Sequence, residues 1–453
     1  MMALDFLLDR MREYADALAV ASGEATCSYR ELSEAVAAWR SRLEAAGPLA
    51  RAVVSVEGDY GVGSIAAFLA LAAIGAVVVP LSPDSAAHLD EFLDLGQVEY
   101  RVRPGAEPDL APTGRRASHE YYDTLRARSS AGLVLFTSGS TGRHKAAVHD
   151  LGLLLRKFQV RRHRHRTLVF LQLDHIGGIN TLLYTLSNGG AAVAPVDRSP
   201  AAVAASIARH RVDLLPTSPT FLNLLLLSGE HARRDLSSLR LITYGTEAMP
   251  ESTLRKVAEA FPRATLQQTY GLTEVGILRS QSRGPMSLWV RVGGEGYETK
   301  VVDGRLWVRA ESAMLGYLNA PSPFDAEGFL DTGDRVEVDG QWLRILGRES
   351  EVINVGGRKV YPAEVEDALL EIPGVQDAAV RGEANPITGQ IVSATVVLEP
   401  AEATPDFKVR MRRALKDRLP AWKVPARVVV AEGPLHSARF KRMRGRSDTG
   451  ERP

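Results

Sequence analysis

The stretch LFTSGSTGRHK at residues 135–145 concentrates hydroxyl side chains, glycines and cations in one short segment. Glycine amides, Ser and Thr hydroxyls and a Lys ammonium all donate hydrogen bonds to phosphate oxygens without adding bulk. The spacing differs from GxxxxGK[ST], so the mechanism attached to that motif does not apply. Taken alone, the segment is better explained as an ordinary Ser/Gly turn. It is therefore a candidate phosphate loop that needs support from other motifs.

Other motifs follow the candidate phosphate loop in a fixed order along the chain. They are QQTYGLTE at 267–274, GFLDTGD at 328–334, GRESEVINVGGRKVYPAEVE at 347–366 and HSARFKRMR at 436–444. Together with the loop they resemble the adenylate-forming superfamily, which includes acyl- and aryl-CoA synthetases, amino-acid adenylation domains and luciferase. The pattern is most similar to that of a short acyl-CoA synthetase-like ligase.

The resemblance implies an acid–thiol ligase. In such enzymes ATP and a small-molecule carboxylic acid give an acyl-adenylate and pyrophosphate. A thiol of CoA or of a phosphopantetheinyl carrier protein then takes the acyl group. ATP and Mg²⁺ are the implied cofactors, with that thiol as co-substrate. Two alternatives stay open: a non-thiol acceptor, and a noncatalytic homologue that binds a nucleotide or an acyl ligand.

The resemblance also implies an ATP site assembled from several motifs. Tyr270 offers a flat face to adenine, Asp334 accepts the ribose hydroxyls, and Arg348 contacts ribose or phosphate. Thr273 contacts the α-phosphate, and Glu274 holds Mg²⁺, for which a carboxylate is a suitable ligand. A core tyrosine, a helix N-terminal acid and a solvated arginine are the structural alternatives. The implied ATP-binding residues are Thr137, Ser138, Gly139, Ser140, Thr141, Gly142, Lys145, Gly245, Thr246, Glu247, Tyr270, Gly271, Asp334 and Arg348.

Lys441 matches the family lysine that enters the active site from a C-terminal domain. A lysine there stabilises the negative charge that builds on the α-phosphate during attack, so Lys441, Glu274 and Thr273 form the implied catalytic set. The family has Gly before this lysine, whereas Phe440 stands here, and the loop conformation is left open. A basic tail that binds polyanions is the alternative interpretation. The family also usually has Pro before the lysine of the phosphate loop and Gly after it, whereas His144 and Ala146 flank Lys145 here.

The acyl pocket is implied by LDHIGGINTLL at residues 173–183, with His175, Ile176, Gly177 and Gly178 as its candidate residues. Amino-acid-activating members place Asp after the gating residue. Because Ile176 stands at that position, it offers no carboxylate that could pair with the α-ammonium group of an amino acid. We therefore expect an acid with an apolar or aromatic tail. A core histidine is the alternative for His175.

Three further segments have predicted roles: a hinge, a loop beside a thiol tunnel and a cationic run. Ser350 matches the residue about which family members rotate their C-terminal domain between two half-reactions. Gly356 and Gly357 match a loop beside the thiol tunnel, although a plain hairpin turn is an equal alternative. The run RKFQVRRHRHR at 156–166 predicts a solvated helix cap, or else a docking patch for the phosphates of CoA or an acidic carrier protein.

The motifs must be positioned by the secondary structure around them. Apolar strand patterns alternate with helical patterns along the chain, and this alternation predicts parallel α/β sheets. Helices are expected at 30–46 and 200–210, and residues 101–117 are expected to form an exposed loop. Short alternating stretches after residue 285 predict antiparallel hairpins in a small β-barrel-like part. The predicted strands are residues 51–56, 75–81, 133–137, 167–173, 190–195, 213–216, 240–244 and 265–269.

After Arg348, helices at 362–371 and 406–418 and strands at 375–381 and 391–397 predict a small mobile α+β domain. The predicted division is an N-terminal adenylate-forming domain at 1–347 and a C-terminal lid domain at 348–453.

Composition limits the remaining possibilities. The 453 residues include 55 basic and 54 acidic side chains, a balance that favours neither a nucleic-acid nor a membrane partner. Cys27 is the only cysteine, which excludes an intramolecular disulfide and suggests a cytoplasmic location. The acidic, amphipathic N-terminus predicts no signal peptide. The apolar stretch at 64–83 contains Gly and Pro and is predicted to be a helix followed by a strand rather than a membrane span.

Overall fold

The computed structural model describes residues 4–47, 49–105, 108–138, 143–400, 403–437 and 440–444. Four residues of the candidate phosphate loop, Gly139, Ser140, Thr141 and Gly142, lie outside these ranges, as does the side chain of Ser138.

Strands alternate with helices from the N-terminus to about residue 278. The helices of this part are α1 (Asp5–Tyr14), α2 (Tyr29–Ala45), α3 (Val62–Ala73), α4 (Leu89–Leu95), α5 (Glu120–Ala127), α6 (Leu151–Leu155), α7 (Ile176–Ser187), α8 (Pro200–His210), α9 (Pro219–Leu227), α10 (Glu230–Arg233) and α11 (Glu251–Ala260). Its strands are β1 (Leu18–Ser22), β2 (Ala25–Ser28), β3 (Val53–Glu57), β4 (Val77–Leu81), β5 (Tyr100–Arg103), β6 (Asp109–Pro112), β7 (Gly132–Ser138), β8 (His144–Asp150), β9 (Arg166–Leu168), β10 (Ala191–Ala194), β11 (Leu214–Thr217), β12 (Leu241–Tyr244), β13 (Thr265–Gln268), β14 (Gly271–Leu272) and β15 (Gly276–Ile277).

The rest of the chain is richer in antiparallel strands. These strands are β16 (Arg279–Ser282), β17 (Trp289–Gly293), β18 (Tyr297–Val302), β19 (Arg305–Ala310), β20 (Gly316–Tyr317), β21 (Leu330–Asp339), β22 (Trp342–Arg348), β23 (Ile353–Val355), β24 (Arg358–Val360), β25 (Val375–Asn385), β26 (Gly389–Leu398) and β27 (Arg427–Val430). Two helices accompany them, α12 (Pro362–Leu370) and α13 (Thr404–Leu415).

Two seven-stranded sheets form the larger part of the molecule. One has the order β20-β8-β7-β4-β3-β5-β6 and the other β13-β12-β11-β9-β10-β1-β2. Their central pairs, such as β3 with β4 and β11 with β12, are parallel. Strand β4 is VVVPL and is buried along its whole length, as expected for a parallel strand covered on both faces. The predicted α/β fold is confirmed.

Helix α2 shows how local sequence determines these elements. Ser28 caps it, accepting a hydrogen bond from the Glu31 amide while Glu31 binds the Ser28 amide in return. Apolar residues at three- and four-residue spacing face the core, among them Leu32, Val36 and Leu43. The capping box and this stripe together explain why the helix starts at residue 29 and packs against the sheet.

A six-stranded antiparallel sheet, β16-β17-β22-β21-β19-β18, follows the two seven-stranded sheets, which are parallel at their centres and antiparallel at some edges. The C-terminal part then has its own sheet of β23 to β27 and an apolar core distinct from the others, to which α12 and α13 contribute. The boundary at residues 347 and 348 stays a prediction. Among the described residues, no helix is long and apolar enough to cross a bilayer.

Two local expectations were wrong. Residues 101–117 include β5 and β6, which pair at the edge of the first sheet, because Tyr100–Arg103 satisfies its backbone groups against β3 and β6. The strand expected at 167–173 ends at Leu168, and the chain then leads into α7. Buried apolar residues continue to Leu173 without ladder pairing, and apolarity alone could not reveal where the pairing stops.

Candidate active site

A cavity lies where the carboxyl ends of β12 and β13 meet the C-terminal part of the chain, the usual place for ligands in parallel sheets. We call it the Tyr270 cavity. Seven of the predicted ATP-site and catalytic residues line it, although they come from segments far apart in the sequence. The lining residues are Thr246, Glu247, Ala248, Gln268, Thr269, Tyr270, Gly271, Leu272, Asp334, Ile345, Leu346, Gly347, Arg348, Glu351, Pro362, Ala363, Lys441 and Arg444.

Tyr270, Asp334 and Arg348 form a connected group in this cavity. The Tyr270 hydroxyl donates a hydrogen bond to Asp334 Oδ2 at 2.6 Å, and Arg348 Nε lies 3.3 Å from Asp334 Oδ1. Burial raises the pKa of Asp334, and the Arg348 charge opposes that rise. Burial and the neighbouring carboxylate also hold the pKa of Tyr270 well above its usual value. The phenol thus stays a donor, and the group presents a fixed acceptor to the cavity.

Two glycines allow the turns at the cavity to pack closely. A Cβ on Gly245 would lie 2.6 Å from Thr269 Oγ1, and one on Gly271 would lie 2.7 Å from the Gly276 carbonyl oxygen. Gly245 does not line the cavity, whereas Thr246, with a φ of 73°, does. Packing therefore requires glycine at both positions, and the implied ATP-binding roles of Gly245 and Gly271 stay predictions.

Glu274 and Lys145 both contact Tyr317, a residue that the sequence motifs above did not include. The Tyr317 hydroxyl donates to Glu274 Oε1, and Lys145 Nζ lies 4.9 Å from the centroid of the Tyr317 ring. Thr137 is the direct partner of Lys145 across β7 and β8, at the base of the predicted phosphate loop. Thr273 lies beside Glu274 in the turn between β14 and β15. A carboxylate with an adjacent hydroxyl is a donor set that suits a hard divalent cation.

The structure accounts for the missing family proline before Lys145. His144 Nδ1 lies 3.1 Å from Glu91 Oε1, and this contact lowers the pKa of Glu91. Asn319 Nδ2 donates to the His144 carbonyl at 2.8 Å, and the Ala146 amide donates to Asn319 Oδ1 at 3.0 Å. Side-chain contacts thus hold the segment that a proline ring would restrain in other members. The motif GYLN at 316–319 is the signal that could have identified Tyr317 and Asn319.

Phe440 positions the loop that carries Lys441. Its φ is 50°, in the left-handed region that glycine adopts without strain, which is the conformation expected from the family glycine. The Phe440 ring compensates by packing with Phe170 and Phe221 at centroid distances of 5.2 Å and 5.3 Å. Ser218 Oγ also donates to the Phe440 carbonyl at 2.8 Å. The substitution therefore preserves the backbone conformation and leaves Lys441 lining the cavity.

Two arginines after Lys441 fix the other side of the loop. Arg442 Nη1 lies 3.0 Å from Glu366 and its Nη2 3.1 Å from Asp377. Arg444 reaches Glu366 at 2.7 Å and Glu351 at 2.6 Å. Burial opposes ionisation of Glu366, but the two guanidinium groups hold its pKa below its ordinary value. Arg442 and Arg444 therefore belong to a largely buried ionic cluster, which does not fit a basic tail that binds polyanions.

Glu247 connects the β12 turn to this loop. Its Oε1 accepts from the Thr220 amide at 2.8 Å, and its Oε2 accepts from the Arg442 amide at 3.1 Å. With both oxygens engaged by protein, Glu247 is a positioning residue at the edge of the cavity. Its implied role in the ATP site stays a prediction.

A second cavity of about 410 Å³ lies beside α7, and we call it the α7 cavity. Thr269 lines both cavities, so they are adjacent. Strand residues of the second sheet and one face of α7 supply most of its wall. The lining residues are Lys157, Phe158, Val160, Arg162, His163, His165, Thr167, Leu171, Gly177, Asn180, Thr181, Tyr184, Asn188, Leu214, Pro216, Leu241, Thr243, Gln267, Thr269, Ile277, Leu278, Arg279 and Ser280.

Of the four predicted acyl-pocket residues, Gly177 lines the α7 cavity, whereas His175, Ile176 and Gly178 do not. His175 caps α7, because its Nδ1 accepts from the Gly177 amide at 3.1 Å. Ile176 is buried in the core. Gly178 is required by packing, since a Cβ there would lie 1.9 Å from the Gln172 carbonyl oxygen. The segment thus positions the cavity wall more than it provides ligand contacts.

Asp174, adjacent to the gating position, is not available to a substrate amine. It is buried and accepts from Ser82 Oγ at 2.6 Å and from Ser85 Oγ at 2.8 Å. Among the described residues that line the α7 cavity there is no Asp or Glu. The expectation that the substrate is not an α-amino acid gains support from this wall chemistry.

The hinge and thiol-tunnel residues lie outside the Tyr270 cavity in this arrangement. Ser350 is exposed in a single 3-10 turn, Glu349–Glu351. Gly356 and Gly357 have φ values of 58° and 81° and form the turn between β23 and β24. Two positive φ angles in a two-residue loop are typical of a hairpin. The hairpin alternative therefore describes this structure, and the thiol-tunnel role stays a prediction.

The cationic run at 156–166 is divided between surface and cavity. Arg161 pairs with exposed Glu13, whereas Arg162, His163 and His165 line the α7 cavity. Lys157 follows α6 and faces the same cavity. The prediction that the run is solvated agrees with the exposure of Arg161, Arg162 and His163, whereas Lys157 and His165 are only partly exposed. The run lies beyond the end of α6 at Leu155.

Comparisons with known proteins agree with this arrangement. Residues 7–318 match the family described as AMP-binding enzyme, and residues 364–439 match the AMP-binding enzyme C-terminal domain. The chain is similar to the indoleacetate–CoA ligase of Aromatoleum aromaticum, with 28% identity covering 90% of this chain and 89% of that enzyme.

Solved structures show the same fold. The anthranilate CoA ligase AuaEII in complex with anthranoyl-AMP superimposes with a TM-score of 0.80 at 21% identity, covering 98% of this chain and 95% of that one. The amide bond synthetase McbA from Marinactinospora thermotolerans gives a TM-score of 0.77 at 23% identity, covering 98% of each chain.

Proposed function

Because the chain belongs to the AMP-binding enzyme family, we propose that the Tyr270 cavity binds ATP and activates a carboxylic acid as its acyl-adenylate. Pyrophosphate leaves, and a thiol of CoA or of a carrier protein then takes the acyl group. One observation carries the proposal. Lys441, from the C-terminal part of the chain, lines the same cavity as Tyr270, Asp334 and Arg348.

In the first step, a carboxylate oxygen attacks the α-phosphorus of ATP, and the bond from that phosphorus to the oxygen bridging to the β-phosphate breaks. Negative charge grows on the nonbridging oxygens, where an ammonium group lowers the barrier. Lys441 is the residue proposed for this role, because Phe440 and Arg442 on either side of it are held by ring and ion-pair contacts. Fixed neighbours reduce the reorganisation that the lysine needs during the reaction.

Each nucleotide contact is proposed from the chemistry of the residue and its position. Tyr270 supplies a ring for adenine, while Asp334 and Arg348 supply an acceptor and a donor for ribose or phosphate. Thr273 and Lys145 would bind phosphate oxygens. Glu274 would hold Mg²⁺, which neutralises phosphate charge when bound. The hydrogen bond from Tyr317 supports this role, since it orients the Glu274 carboxylate.

A carboxylate-dependent pyrophosphate exchange assay over a panel of acids tests the adenylation step. Lys441→Ala should lower the exchange rate by about 100-fold or more, the usual effect of removing one transition-state donor. Lys416→Ala is the matched control, because Lys416 is an exposed lysine of the C-terminal part outside the cavity. If the protein binds ATP yet exchanges pyrophosphate with no acid, it is a noncatalytic homologue.

The acceptor is the finer part of the proposal. CoA is favoured because the similar enzyme of Aromatoleum aromaticum is a CoA ligase. A preformed acyl-adenylate can be offered to CoA, to a phosphopantetheinyl carrier protein and to an amine in parallel, with product identified by mass. Transfer to an amine alone would replace the thiol-ligase proposal with the non-thiol alternative.

Ser350, Gly356 and Gly357 enter at this transfer step. Their proposed roles require the C-terminal part to rotate and bring the β23–β24 turn to the cavity. Ser350→Pro restrains the hinge and should slow thioester formation more than pyrophosphate exchange. Equal losses in both steps would contradict a hinge at Ser350.

A further inference from the structure

The α7 cavity contains a lysine without an acidic partner. Lys157 Nζ donates to the Ile277 carbonyl oxygen at 3.0 Å and lies 5.2 Å from the centroid of the Phe158 ring. Among the residues that the structure describes, no carboxylate lies within ion-pair distance of this ammonium group. A cation in such a place is costly unless an anion completes it. If the only role of Lys157 were packing, an apolar side chain would fill the same space without the cost of burying a charge.

The surrounding charges make the cavity attractive to an anion. Arg162 and Arg279 are exposed at its rim. Within the described ranges, Arg279 pairs only with Glu295, which lies 3.9 Å from its Nη2, and Arg162 has no ion pair. His163 and His165 contribute titratable groups to the same wall, and His165 Nδ1 lies 2.8 Å from Asp213 outside the lining. Cations at a concave site with apolar walls raise the local concentration of anionic ligands.

The protonation of Lys157 responds to this environment. Desolvation, together with the charge of Arg279, lowers the pKa of Lys157 to about 7. Only the charged form is penalised by burial, so a bound anion would raise the pKa again. The cavity is therefore arranged to take up an anion and a proton together.

We propose that the α7 cavity accepts an acid with a second, distal carboxylate, which pairs with the ammonium group of Lys157. The inference rests on the proposed function, because the other carboxylate must reach the Tyr270 cavity at the wall that Thr269 shares. Apolar side chains such as Leu171 and Leu214 line the space between and suit a hydrocarbon or aromatic spacer. The substrate class is thus a dicarboxylic acid, in place of the wholly apolar tail expected from the sequence.

Matched pairs of acids test this specificity. Adipate has a carboxyl group where hexanoate has its terminal methyl group, and 4-carboxyphenylacetate carries one more carboxyl group than phenylacetate. The monomethyl ester at the distal carboxyl group of each diacid keeps the carbon skeleton and removes the charge. In pyrophosphate exchange, the wild-type kcat/KM should favour each diacid over its partner by about tenfold or more, the equivalent of about 1.4 kcal/mol. The preference should disappear in Lys157→Met and persist in Lys157→Arg.

Arg156→Met is the matched control, since Arg156 precedes Lys157 but pairs with exposed Glu311 outside the cavity. It should keep the preference for diacids. Equal or better use of the monoacids and esters by the wild type, or an unchanged preference in Lys157→Met, would overturn the inference.

Binding separates this inference from the proposed function. If no acid supports exchange, the ligase proposal fails, but calorimetric titration of adipate and 4-carboxyphenylacetate into wild type and Lys157→Met still decides the site. Binding that is lost in Lys157→Met and retained in Lys157→Arg supports the anion site. Equal binding or equal absence of binding in wild type and Lys157→Met rejects it. Circular dichroism of each variant distinguishes loss of the ligand site from loss of the fold.

Discussion

Replacing Phe440 with glycine tests how the loop delivers Lys441. The residue has a φ of 50°, and its ring contacts Phe170, Phe221 and His436 at centroid distances of 5.2, 5.3 and 5.2 Å. Glycine would relieve the backbone and remove the ring. The two effects oppose each other, so the sign of the result reports which one dominates.

The magnitudes favour the ring. Left-handed backbone costs a residue with a Cβ about 1–2 kcal/mol, which glycine would recover. Each aromatic pair contributes about 0.5–1.5 kcal/mol beyond buried area, and three pairs are lost together. The net expectation is a loss of about 1–2 kcal/mol in docking of the loop, or roughly tenfold in the rate of adenylation. Phe440→Ala loses the ring without relieving φ, so it should be slower than Phe440→Gly by about fivefold.

The assay is pyrophosphate exchange with a saturating acid, followed by thioester formation from preformed acyl-adenylate as an internal control. Thioester transfer uses the other face of the C-terminal part in the proposed mechanism, so both Phe440 variants should transfer at the wild-type rate. The reasoning is refuted if Phe440→Gly exchanges pyrophosphate as fast as the wild type, or if Phe440→Ala outperforms it.

Three further predictions follow from the same contacts. Arg444→Met leaves buried Glu366 with one guanidinium partner, and thermal unfolding should show a loss of about 3 kcal/mol, whereas an unchanged Tm would contradict the buried cluster. Tyr270→Phe removes the donor to Asp334, and equilibrium ATP binding should weaken by about 1–2 kcal/mol; unchanged affinity would place ATP elsewhere. Since an anion binds protonated Lys157, diacid affinity should fall as pH rises above about 7, and calorimetry of Lys157→Arg should show no such fall. An identical pH profile in Lys157→Arg would assign the titration to the neighbouring histidines.

The order of the motifs predicted that residues far apart in the sequence lie close together. Tyr270, Asp334, Arg348 and Lys441 line one cavity. Tyr270 follows the parallel strand β13, whereas Asp334 and Arg348 are paired on the antiparallel strands β21 and β22, and Lys441 comes from the C-terminal part. Periodicity likewise located most strands, since strands buried on both faces are continuous apolar runs. These features depend on local sequence and on a topology that parallel sheets nearly enforce.

The acyl side could not be predicted to the same depth. In a run of six Lys and Arg side chains within eleven residues, no local signal indicates that Lys157 lines a cavity while Arg161 faces solvent and pairs with Glu13. The distinction depends on where α6 ends and on the distant wall residue Ile277, whose carbonyl receives the Lys157 hydrogen bond. Phe440 is a similar case, because the rings that hold it come from residues 170 and 221.

The loop of Lys441 has strong contacts within the C-terminal part and weaker contacts with the rest of the molecule. Arg442 and Arg444 bind Glu366, Asp377 and Glu351, all of which belong to the C-terminal part, through a buried ionic cluster. Such a cluster is strongly destabilised when one partner is removed, so the loop should move with the C-terminal part as one body.

Contacts from this loop to the rest of the molecule are weaker. They consist of the half-buried Phe440 ring, the Ser218 hydrogen bond and the Glu247 acceptor. Elsewhere on the boundary, Asn223 donates to the Gln376 carbonyl at 2.9 Å, and exposed Arg255 pairs with Glu371 at 2.6 Å. Exposed ion pairs and single hydrogen bonds contribute about 1 kcal/mol each or less. The loop of Lys441 is thus held strongly by the C-terminal part and weakly by the N-terminal part. In the proposed mechanism, Lys441 can therefore enter the cavity for adenylation and leave it for thiol transfer while its own loop keeps its conformation.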